Sequence, residues 1–305
     1  MKRIFLFLLG LTSAMAMAAE TITIVSPYSA SHSGTPAMFR IVNEANSQQK
    51  DYNFILEFRP GGEQIIAVNA LKEQPATRLA IVAPKFVEHV QSGRLNRADY
   101  VPIHALGDAC WAVITNVGNS RQGIASLRGI SELTVGGVGV GNAAHITALE
   151  LGEKFNFRIR YISFKSNFDA LVLVVSDQSI NLVLERVTSY LQYREKNPRV
   201  TVLGMSCPRR HPDLPNVATL AEQKINTPYV FNITMAHVGM PESKRRHLAT
   251  ILNHATLSVG AAEIFRLSDM TPPVFVHQSL EDYYRARFDN MQSMLQKHQK
   301  EIANN

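Results

Sequence analysis

The stretch TITIVSPYSASHSGTPAMFRIVNEA, residues 21–45, decides the fold of this chain. It begins with the β-branched run Thr21–Val25, which is typical of a short buried strand. A loop of small and polar residues follows over Ser26–Thr35, with Thr35 as the expected N-cap of a helix and Pro36 in its first turn. The next positions form an apolar helical stripe: Met38, Phe39, Ile41 and Val42. The free N–H groups and the dipole at a helix N-terminus favour negative charge, so we expect an anion pocket here.

The same order of strand, small-residue loop and helix recurs later in the chain. Leu133–Val135 predicts a strand, Gly136–Asn142 a glycine-rich loop, and Ala143–Phe155 a helix. The G-x-G-x-G spacing of this loop differs from the G-x-G-x-x-G of dinucleotide-binding folds, and no acidic residue follows in the usual context. Two helix N-termini that face each other predict a clamp for one anion, with ordinary loop structure as the alternative.

The strands and helices predicted in the first part of the chain follow one another in the order that is typical of a parallel sheet. Tyr52–Phe58 and Leu79–Ala83 are predicted as buried strands separated by a helix, so this part reads β-α-β-α-β. Ligands of such sheets bind at the carboxyl ends of the strands. Those ends are expected in the loops that hold Tyr28–Ser33, Gly61 with Gly62, and Pro84 with Lys85.

Two extended runs predict crossings between two α/β domains. Val101–Val117 carries the sole tryptophan, Trp111, and Tyr229–Val238 is expected to return the chain to the first sheet. A polar residue, Asn181, stands within the predicted strand Ser179–Leu184 and is a candidate ligand contact. We therefore expect a signal peptide at residues 1–18, domain 1 at residues 19–103 and 239–305, and domain 2 at residues 104–238.

The first residues have the three regions of a secretory signal peptide. Lys2 and Arg3 form a basic start, Ile4–Leu11 is apolar, and Ala16–Ala18 fits the small-x-small cleavage pattern. The pattern predicts export and a mature chain that begins at Ala19.

Charge and composition exclude some classes of function. The formal net charge is +6, and 46% hydrophobic with 18% charged residues is the composition of a globular protein. The basic residues are scattered, whereas a nucleic-acid site needs a large basic patch with interleaved aromatic residues, so no nucleic-acid binding is expected. No spacing of Cys and His is typical of a zinc site, and we expect neither a metal nor another cofactor.

Cys110 and Cys207 are the only cysteines. Each lies in or at the end of an apolar, strand-like run. Export permits a disulfide between them, and two buried thiols that pack as small hydrophobic groups are the alternative. Both stay open at this point, because the sequence gives no distance between the two residues.

Several segments match the motifs of one family in order and spacing. The most specific is Arg209–Glu222, RRHPDLPNVATLAE, which is similar to KRxPxLPDVPTxxE. Shorter matches, to PFxxGGxxD, NRPGAGG, YGSSGxGSxxHLAxE and VPYKG, lie at Ile24–Gly34, Phe58–Gly62, Val135–Glu150 and Ile162–Lys165. Together these segments resemble the tripartite tricarboxylate transporter substrate-binding proteins, the TctC or Bug group of periplasmic receptors. The chain departs from the pattern at Ser33, Ala37 and Ser166, where the family has Gly, Asp and Gly.

The resemblance implies a type II periplasmic binding protein fold, in which two α/β domains joined by two crossing strands enclose a ligand cleft. It implies a periplasmic solute-binding protein, and not an enzyme, that captures a small carboxylate-bearing metabolite by hinge closure. The implied partners are that ligand and the membrane permease subunits of a tripartite tricarboxylate-type transporter, with the protein itself a monomer. In this family backbone N–H groups, small side chains and ordered water hold the carboxylate. The ligand-binding residues that we expect are Tyr28, Ser29, Ala30, Ser33, Gly61, Gly62, Pro84, Gly139, Gly141, Asn142, Ala143, His145 and Asn181.

Two other functions stay open from the sequence. A receptor that presents its ligand to a sensor kinase has the same sequence features as one that serves a permease. An exported hydrolase needs a nucleophile and a base, and the chain has no G-x-S-x-G motif. His32 and His145, which lie in the two pocket loops, are the candidate pair for such chemistry.

Overall fold

The computed structural model of the chain describes residues 19–32, 34–116, 123–164, 167–176, 179–195, 197, 200–273 and 279–304. The predicted signal peptide, residues 1–18, and Ser33 lie outside them. The strands are β1 (Glu20–Ser26), β2 (Tyr52–Phe58), β3 (Arg78–Val82), β4 (Tyr100–Ala109), β5 (Trp111–Thr115), β6 (Glu132–Val138), β7 (Arg158–Phe164), β8 (Leu182–Arg186), β9 (Thr201–Met205), β10 (Val230–His237) and β11 (Met270–Thr271). The α-helices are α1 (Thr35–Gln48), α2 (Ile65–Glu73), α3 (Lys85–Gln91), α4 (Ala143–Phe155), α5 (Asn167–Ser176), α6 (Val187–Arg194), α7 (Glu242–Thr256), α8 (Val259–Leu267), α9 (Leu280–Lys297) and α10 (Gln299–Ala303).

The strands form two sheets of the same design. The first has the order β11-β4-β10-β3-β1-β2, and the second has the order β7-β6-β8-β5-β9. In the first sheet β1 is parallel to β2 and β3, while β10 lies antiparallel between β3 and β4. In the second sheet β6 is parallel to β7 and β8, while β5 lies antiparallel between β8 and β9. The two α/β domains predicted from the sequence are therefore present.

Helices cover both faces of each sheet. In the first domain α2, α3 and α9 pack on one face, and α1, α7 and α8 pack on the other. The side chains of β1 alternate between the two faces of the sheet. Ile22 and Ile24 pack on the α1 side, and Val25 packs on the α2 side. In the second domain α5 and α6 cover one face, and α4 covers the other.

The start of α1 differs from the prediction. The N-cap is Gly34, which has no side-chain cap, and the helix begins at Thr35. Phe39 lies outside the buried stripe with 44% of its surface exposed, and its ring contacts Phe58 at a centroid distance of 5.9 Å. The buried side of α1 consists instead of Thr35, Ala37, Met38, Ile41, Val42 and Ala45.

The chain crosses between the sheets at two places. β4 and β10 pair with each other inside the first sheet, so the chain leaves that sheet after Ala109 and re-enters it at Val230. The domain boundaries predicted at residues 103 and 239 stay a prediction. On strand pairing, we propose to place the two crossings at residues 109–111 and 206–229.

Among the described residues, no single helix has both the length and the apolar character needed to cross a membrane. Helices α7 and α8 meet that test only when taken together, by length and composition, and a bend of 72° separates them.

Cys110 and Cys207 form a disulfide beside the crossings. Their Cα atoms lie 4.7 Å apart, within the range of protein disulfides. Cys110 follows β4 directly, and Cys207 lies just after β9, so the bond ties both connections to the second domain. Each cysteine is 6% exposed in that domain's core. Of the two alternatives left open by the sequence, the structure contains the bonded pair.

We predict that thiol titration of the denatured, unreduced protein detects no free cysteine. The bond closes a loop of 97 residues in sequence separation, so its removal should lower the free energy of unfolding by about 4–5 kcal/mol. Urea denaturation of the wild type and of the Cys110→Ser, Cys207→Ser double variant measures this difference, and the double variant leaves no lone thiol. Two reactive thiols in the wild-type protein would contradict the pairing.

Candidate binding cleft

A cavity of about 810 Å³ separates the two domains. Its walls come from the segments that follow β1, β2, β3, β6 and β8 and from the first residues of β5 and β10. These are the carboxyl ends of the parallel strands in both sheets, where open α/β sheets bind ligands. The lining residues are Pro27, Tyr28, Ser29, Ser31, His32, Pro60, Gly61, Glu63, Gln64, Ala83, Pro84, Lys85, Trp111, Val138, Gly139, Asn142, Ala143, Glu185, Arg186, Ser189, Val230 and Asn232.

Tyr28 and His32 form the wall of the cleft on the first domain. The two rings stack with their centroids 4.0 Å apart, and Tyr28 Oη donates a hydrogen bond to Asn232 Oδ1 at 2.8 Å. Burial raises the pKa of Tyr28 to about 12, and the nearby charge of Arg186 lowers it by less. The phenol is therefore neutral at physiological pH, and this wall carries no anion at Tyr28.

The first predicted anion pocket is filled by its own loop. His32 Nδ1 accepts the Gly34 N–H at 3.0 Å, and the His32 carbonyl accepts the Thr35 N–H at 2.9 Å. Pro36 has no N–H to offer. The N–H groups of Gly34 and Thr35 at the start of α1 are therefore not free to face a ligand.

The second predicted pocket keeps its donors. Asn142 caps α4, since its Oδ1 accepts the His145 N–H at 2.9 Å, and Ala143 is the first residue of the helix. Within the described residues no acceptor takes the Ala143 N–H, which lies at the cleft wall. A helix N-terminus with a free N–H and a small side chain suits an anion.

Lys85 is buried at the cleft but its charge is already matched. Its Nζ lies 3.1 Å from a carboxylate oxygen of Glu63, is hydrogen-bonded to Glu88, and donates to the Val140 carbonyl at 2.9 Å. Only 8% of the residue is exposed. Because Val140 belongs to the second domain, this lysine links the two domains beside the cavity.

Arg186 is the buried cation at the floor of the cleft. It ends β8 and is the N-cap of α6, and it is 7% exposed. Its Nη1 donates to the Ser268 carbonyl of the first domain at 2.7 Å. Burial lowers the pKa of this guanidinium, while Tyr28, Asp269 and Glu185 oppose that shift. Arg186 was not among the predicted site residues, because in the sequence it reads as the end of an apolar strand.

A cluster of oppositely charged side chains lies at the domain interface outside the cavity. Lys297 Nζ lies 2.7 Å from Glu150 and 2.6 Å from Glu153, and His298 Nε2 lies 2.7 Å from Glu150. Glu150, Glu153 and His298 are close enough together to hold a cation. The ammonium of Lys297 contacts both carboxylates, so an ion-pair cluster between α4 and the C-terminal helices accounts for this arrangement.

The structure brings about half of the predicted site residues to the cavity. Those that line it are Tyr28, Ser29, Gly61, Pro84, Gly139, Asn142 and Ala143. Those that do not are Ala30, Gly62, Gly141, His145 and Asn181, and Ser33 lies outside the described residues. Ala30 and Gly62 are exposed to solvent in the same loops, away from the cavity wall.

Three of the predicted contacts have structural roles instead. Asn181 precedes β8, at the end remote from Arg186, and exchanges two 2.9 Å hydrogen bonds with the Thr134 backbone. Gly141 has a φ of +75° and faces Glu88 and Leu295 of the first domain. His145 is fully buried, stacks on Tyr161, and accepts the Gly141 N–H at Nδ1. Gly141 and His145 shape the second loop and Asn181 joins β8 to β6, and none of the three lines the cavity.

Several cavity residues carried no sequence signal. Asn232 lies inside the returning strand β10 and Ser189 in α6, and both read as ordinary positions of their elements. Trp111 was noted only as part of a crossing, although it faces the cavity at the start of β5. Arg186 did carry a sequence signal, since Glu185-Arg186 is a charged pair at the end of an otherwise apolar strand.

The comparisons with known proteins agree with this architecture. No protein-family model matches the chain. A curated relative, the UPF0065 protein in the tcbD-tcbE intergenic region of Pseudomonas sp. (strain P51), is 22% identical over 297 residues, 92% of this chain and 87% of the relative. A TctC solute-binding protein from Polaromonas superposes with a TM-score of 0.73 at 15% identity, over 92% of this chain and 99% of that one. A protein of R. palustris solved with adipate superposes with a TM-score of 0.75 at 16% identity, over 93% and 97% of the two chains.

These similarities confirm the predicted fold. The chain has the two-domain α/β fold of the periplasmic binding proteins, and the resemblance to the TctC and Bug group seen in the sequence motifs extends to the whole described structure.

We predict that acid weakens the folded state through the buried His104 and His145 and the half-buried His32. Burial lowers the pKa of His32 and of His145 to about 4 and that of His104 to about 3, below the ordinary 6.5. The unfolded chain therefore binds more protons between about pH 6.5 and about pH 4, and stability falls as the pH drops through this window. Thermal unfolding followed by circular dichroism across these pH values measures the slope.

The His32→Asn variant is the matched control for this slope. Asn keeps an acceptor for the Gly34 N–H but takes up no proton, so its melting temperature should depend less steeply on pH. An equal slope in the variant, or a wild type that gains stability in acid, would contradict the assignment of His32.

Proposed function

We propose that the protein is a periplasmic solute-binding protein that captures a small carboxylate by closing its two domains over the cleft. It then delivers the ligand to the permease of a tripartite tricarboxylate-type transporter. The observation that carries the proposal is the cavity of about 810 Å³ at which the carboxyl ends of both sheets meet. The fold of a solved relative with adipate supports a carboxylate ligand.

The geometry of the crossings supports capture by hinge closure. Both chain connections run beside the floor of the cleft, and Asp269 joins elements from both domains there. Its carbonyl accepts the Cys110 N–H at 2.9 Å, and its Oδ2 accepts the Thr188 N–H at 2.5 Å. A rotation about these connections would open the outer edges of the cleft and leave its floor nearly fixed.

The donors at the cleft suit an anionic ligand. Ala143 offers a backbone N–H at the start of α4, Ser29 offers a hydroxyl group, and Arg186 offers a guanidinium. They come from both domains, so a bound carboxylate would contact both walls and favour the closed state. The neutral Tyr28 adds no repulsion.

The hydrolase alternative gains no support from the two histidines. His32 and His145 each use Nδ1 to accept a backbone N–H of their own loop, from Gly34 and Gly141 respectively. Burial keeps both rings neutral by lowering their pKa, and His145 does not line the cavity. Service to a sensor kinase instead of a permease remains the second candidate, and growth on the ligand with the permease genes deleted separates the two.

Trp111 provides a direct test of binding. It is the only tryptophan of the chain and lines the cavity, so a ligand in the cleft should change its fluorescence. We predict a saturable change on titration with hexanoate or adipate and none with hexanamide, which lacks the charge. No saturable change with either acid would contradict carboxylate binding in this cleft.

A charge placed on the cleft wall should weaken that binding. Val138 ends β6 at the cavity and is 37% exposed, so its replacement should not disturb folding. Val138→Asp should reduce affinity by about tenfold or more, because like charges about 4 Å apart repel by roughly 1–4 kcal/mol. Val138→Asn has the same shape without the charge and should bind nearly as the wild type does. Equal affinities of the Asp and Asn variants would show that the ligand carries no negative charge near this wall.

A further inference from the structure

We infer that Arg186 is the specificity-determining residue of the cleft, and that the ligand is a monocarboxylate whose single charged group pairs with this guanidinium while an uncharged body lies against the apolar wall. The inference rests on the proposed function, since it names the ligand class for the same cavity. It differs from the sequence expectation, in which backbone N–H groups, small side chains and ordered water hold the carboxylate.

The charges of Asp269 and Glu185 act on the buried side chain of Arg186, but within the described residues its guanidinium makes no ion pair with either of them. Its Nη1 donates to the Ser268 carbonyl at 2.7 Å, which uses one edge of the guanidinium. In the part of the chain that the structure describes, Nε and Nη2 have no hydrogen-bond acceptor and no carboxylate within ion-pair distance. The residue nevertheless lines the cavity while it is only 7% exposed.

The two acids closest to Arg186 are held by other groups. Glu185 Oε1 accepts the backbone N–H of Arg186 at 2.7 Å and the hydroxyl of Ser189 at 3.2 Å. Asp269 Oδ2 accepts the Thr188 N–H, and its Oδ1 lies 3.3 Å from His211 Nε2. Each carboxylate thus has one oxygen engaged by other groups, and neither forms an ion pair with the guanidinium.

A buried guanidinium that contacts no carboxylate is costly, because one hydrogen bond replaces only part of its lost hydration. A ligand carboxylate would supply that counterion in the cavity, and the guanidinium fork matches its two oxygens. Tyr28 and His32 stand across the cavity, close enough for the charge of Arg186 to lower the pKa of each. Both are neutral near pH 7, so they leave the cation available to the ligand.

The remainder of the cavity explains why one carboxylate is expected and not two. Lys85, the other lining cation, is matched by Glu63 and Glu88. A second carboxylate would therefore lose its hydration without gaining an unpaired cation. Trp111, Val138 and Val230 offer apolar surface for an uncharged body.

The experiment is equilibrium dialysis of the mature protein against an equimolar mixture, with retained compounds measured by mass spectrometry. The mixture contains hexanoate and benzoate, the dicarboxylates adipate and terephthalate, and the uncharged hexanamide and benzamide. We expect the wild type to retain a monocarboxylate over its amide and over the matched dicarboxylate by about tenfold or more. Arg186→Gln should lose the preference for acid over amide.

The matched control is Arg158→Gln, the same chemical change on the second domain. The Arg158 side chain is 80% exposed, pairs with Glu132 and does not line the cavity, so this variant should retain ligands as the wild type does. If Arg186→Gln does not fold by circular dichroism, Arg186→Lys decides, since it keeps the charge but lacks the fork and should retain the acid about tenfold less well.

Each remaining outcome contradicts a defined part of the account. Unchanged acid binding in folded Arg186→Gln, or in Arg186→Lys where that variant decides, excludes Arg186 as the specificity-determining residue. A wild type that prefers dicarboxylates leaves the proposed function standing and excludes the monocarboxylate. A wild type that prefers no acid over its amide excludes the proposed function itself.

Discussion

The structure depends on one constraint: in each sheet, one strand directly follows a chain connection from the other domain. β10 lies antiparallel between β3 and β4, and β5 lies antiparallel between β8 and β9. The second sheet comes from one continuous segment, residues 111–205, whereas the first sheet needs β10 from after that segment, so the chain must pass twice between the domains. Both passages lie at the carboxyl ends of the parallel strands, and these ends must therefore face each other. The disulfide Cys110–Cys207 and the bonds of Asp269 hold this junction.

The electrostatics of the cleft follow from what surrounds each charge. Lys85 is buried among two carboxylates and a carbonyl, so it links the domains and offers little to a ligand. Tyr28 and His32 are kept neutral by burial, which raises the pKa of the phenol and lowers that of the imidazole. Of these groups, Arg186 is the buried charge that makes no ion pair with a described residue, and this difference makes it the natural counterpart of an anionic ligand.

Local sequence patterns predicted the strands and the second loop, because their causes are local. The β-branched run of β1 and the glycine-rich loop before α4 follow from neighbouring residues, and Gly139, Asn142 and Ala143 line the cavity as expected. In the first loop, N–H groups at the start of α1 were expected to face an anion, but His32 accepts those of Gly34 and Thr35, and the small-residue pattern of the loop does not reveal this local arrangement. Tyr28–Asn232 and Arg186–Ser268 join residues 204 and 82 positions apart, and no short pattern encodes such contacts.

The central claim is that one ligand carboxylate is held between the two domains at the floor of the cleft. Its most direct test is a crystal structure of the protein grown with benzoate or hexanoate. The account predicts ligand density between the sheets, with the carboxylate on the guanidinium of Arg186 and the apolar body against Trp111 and Val138. Density outside this cavity, or a carboxylate that does not contact the guanidinium of Arg186, would contradict it.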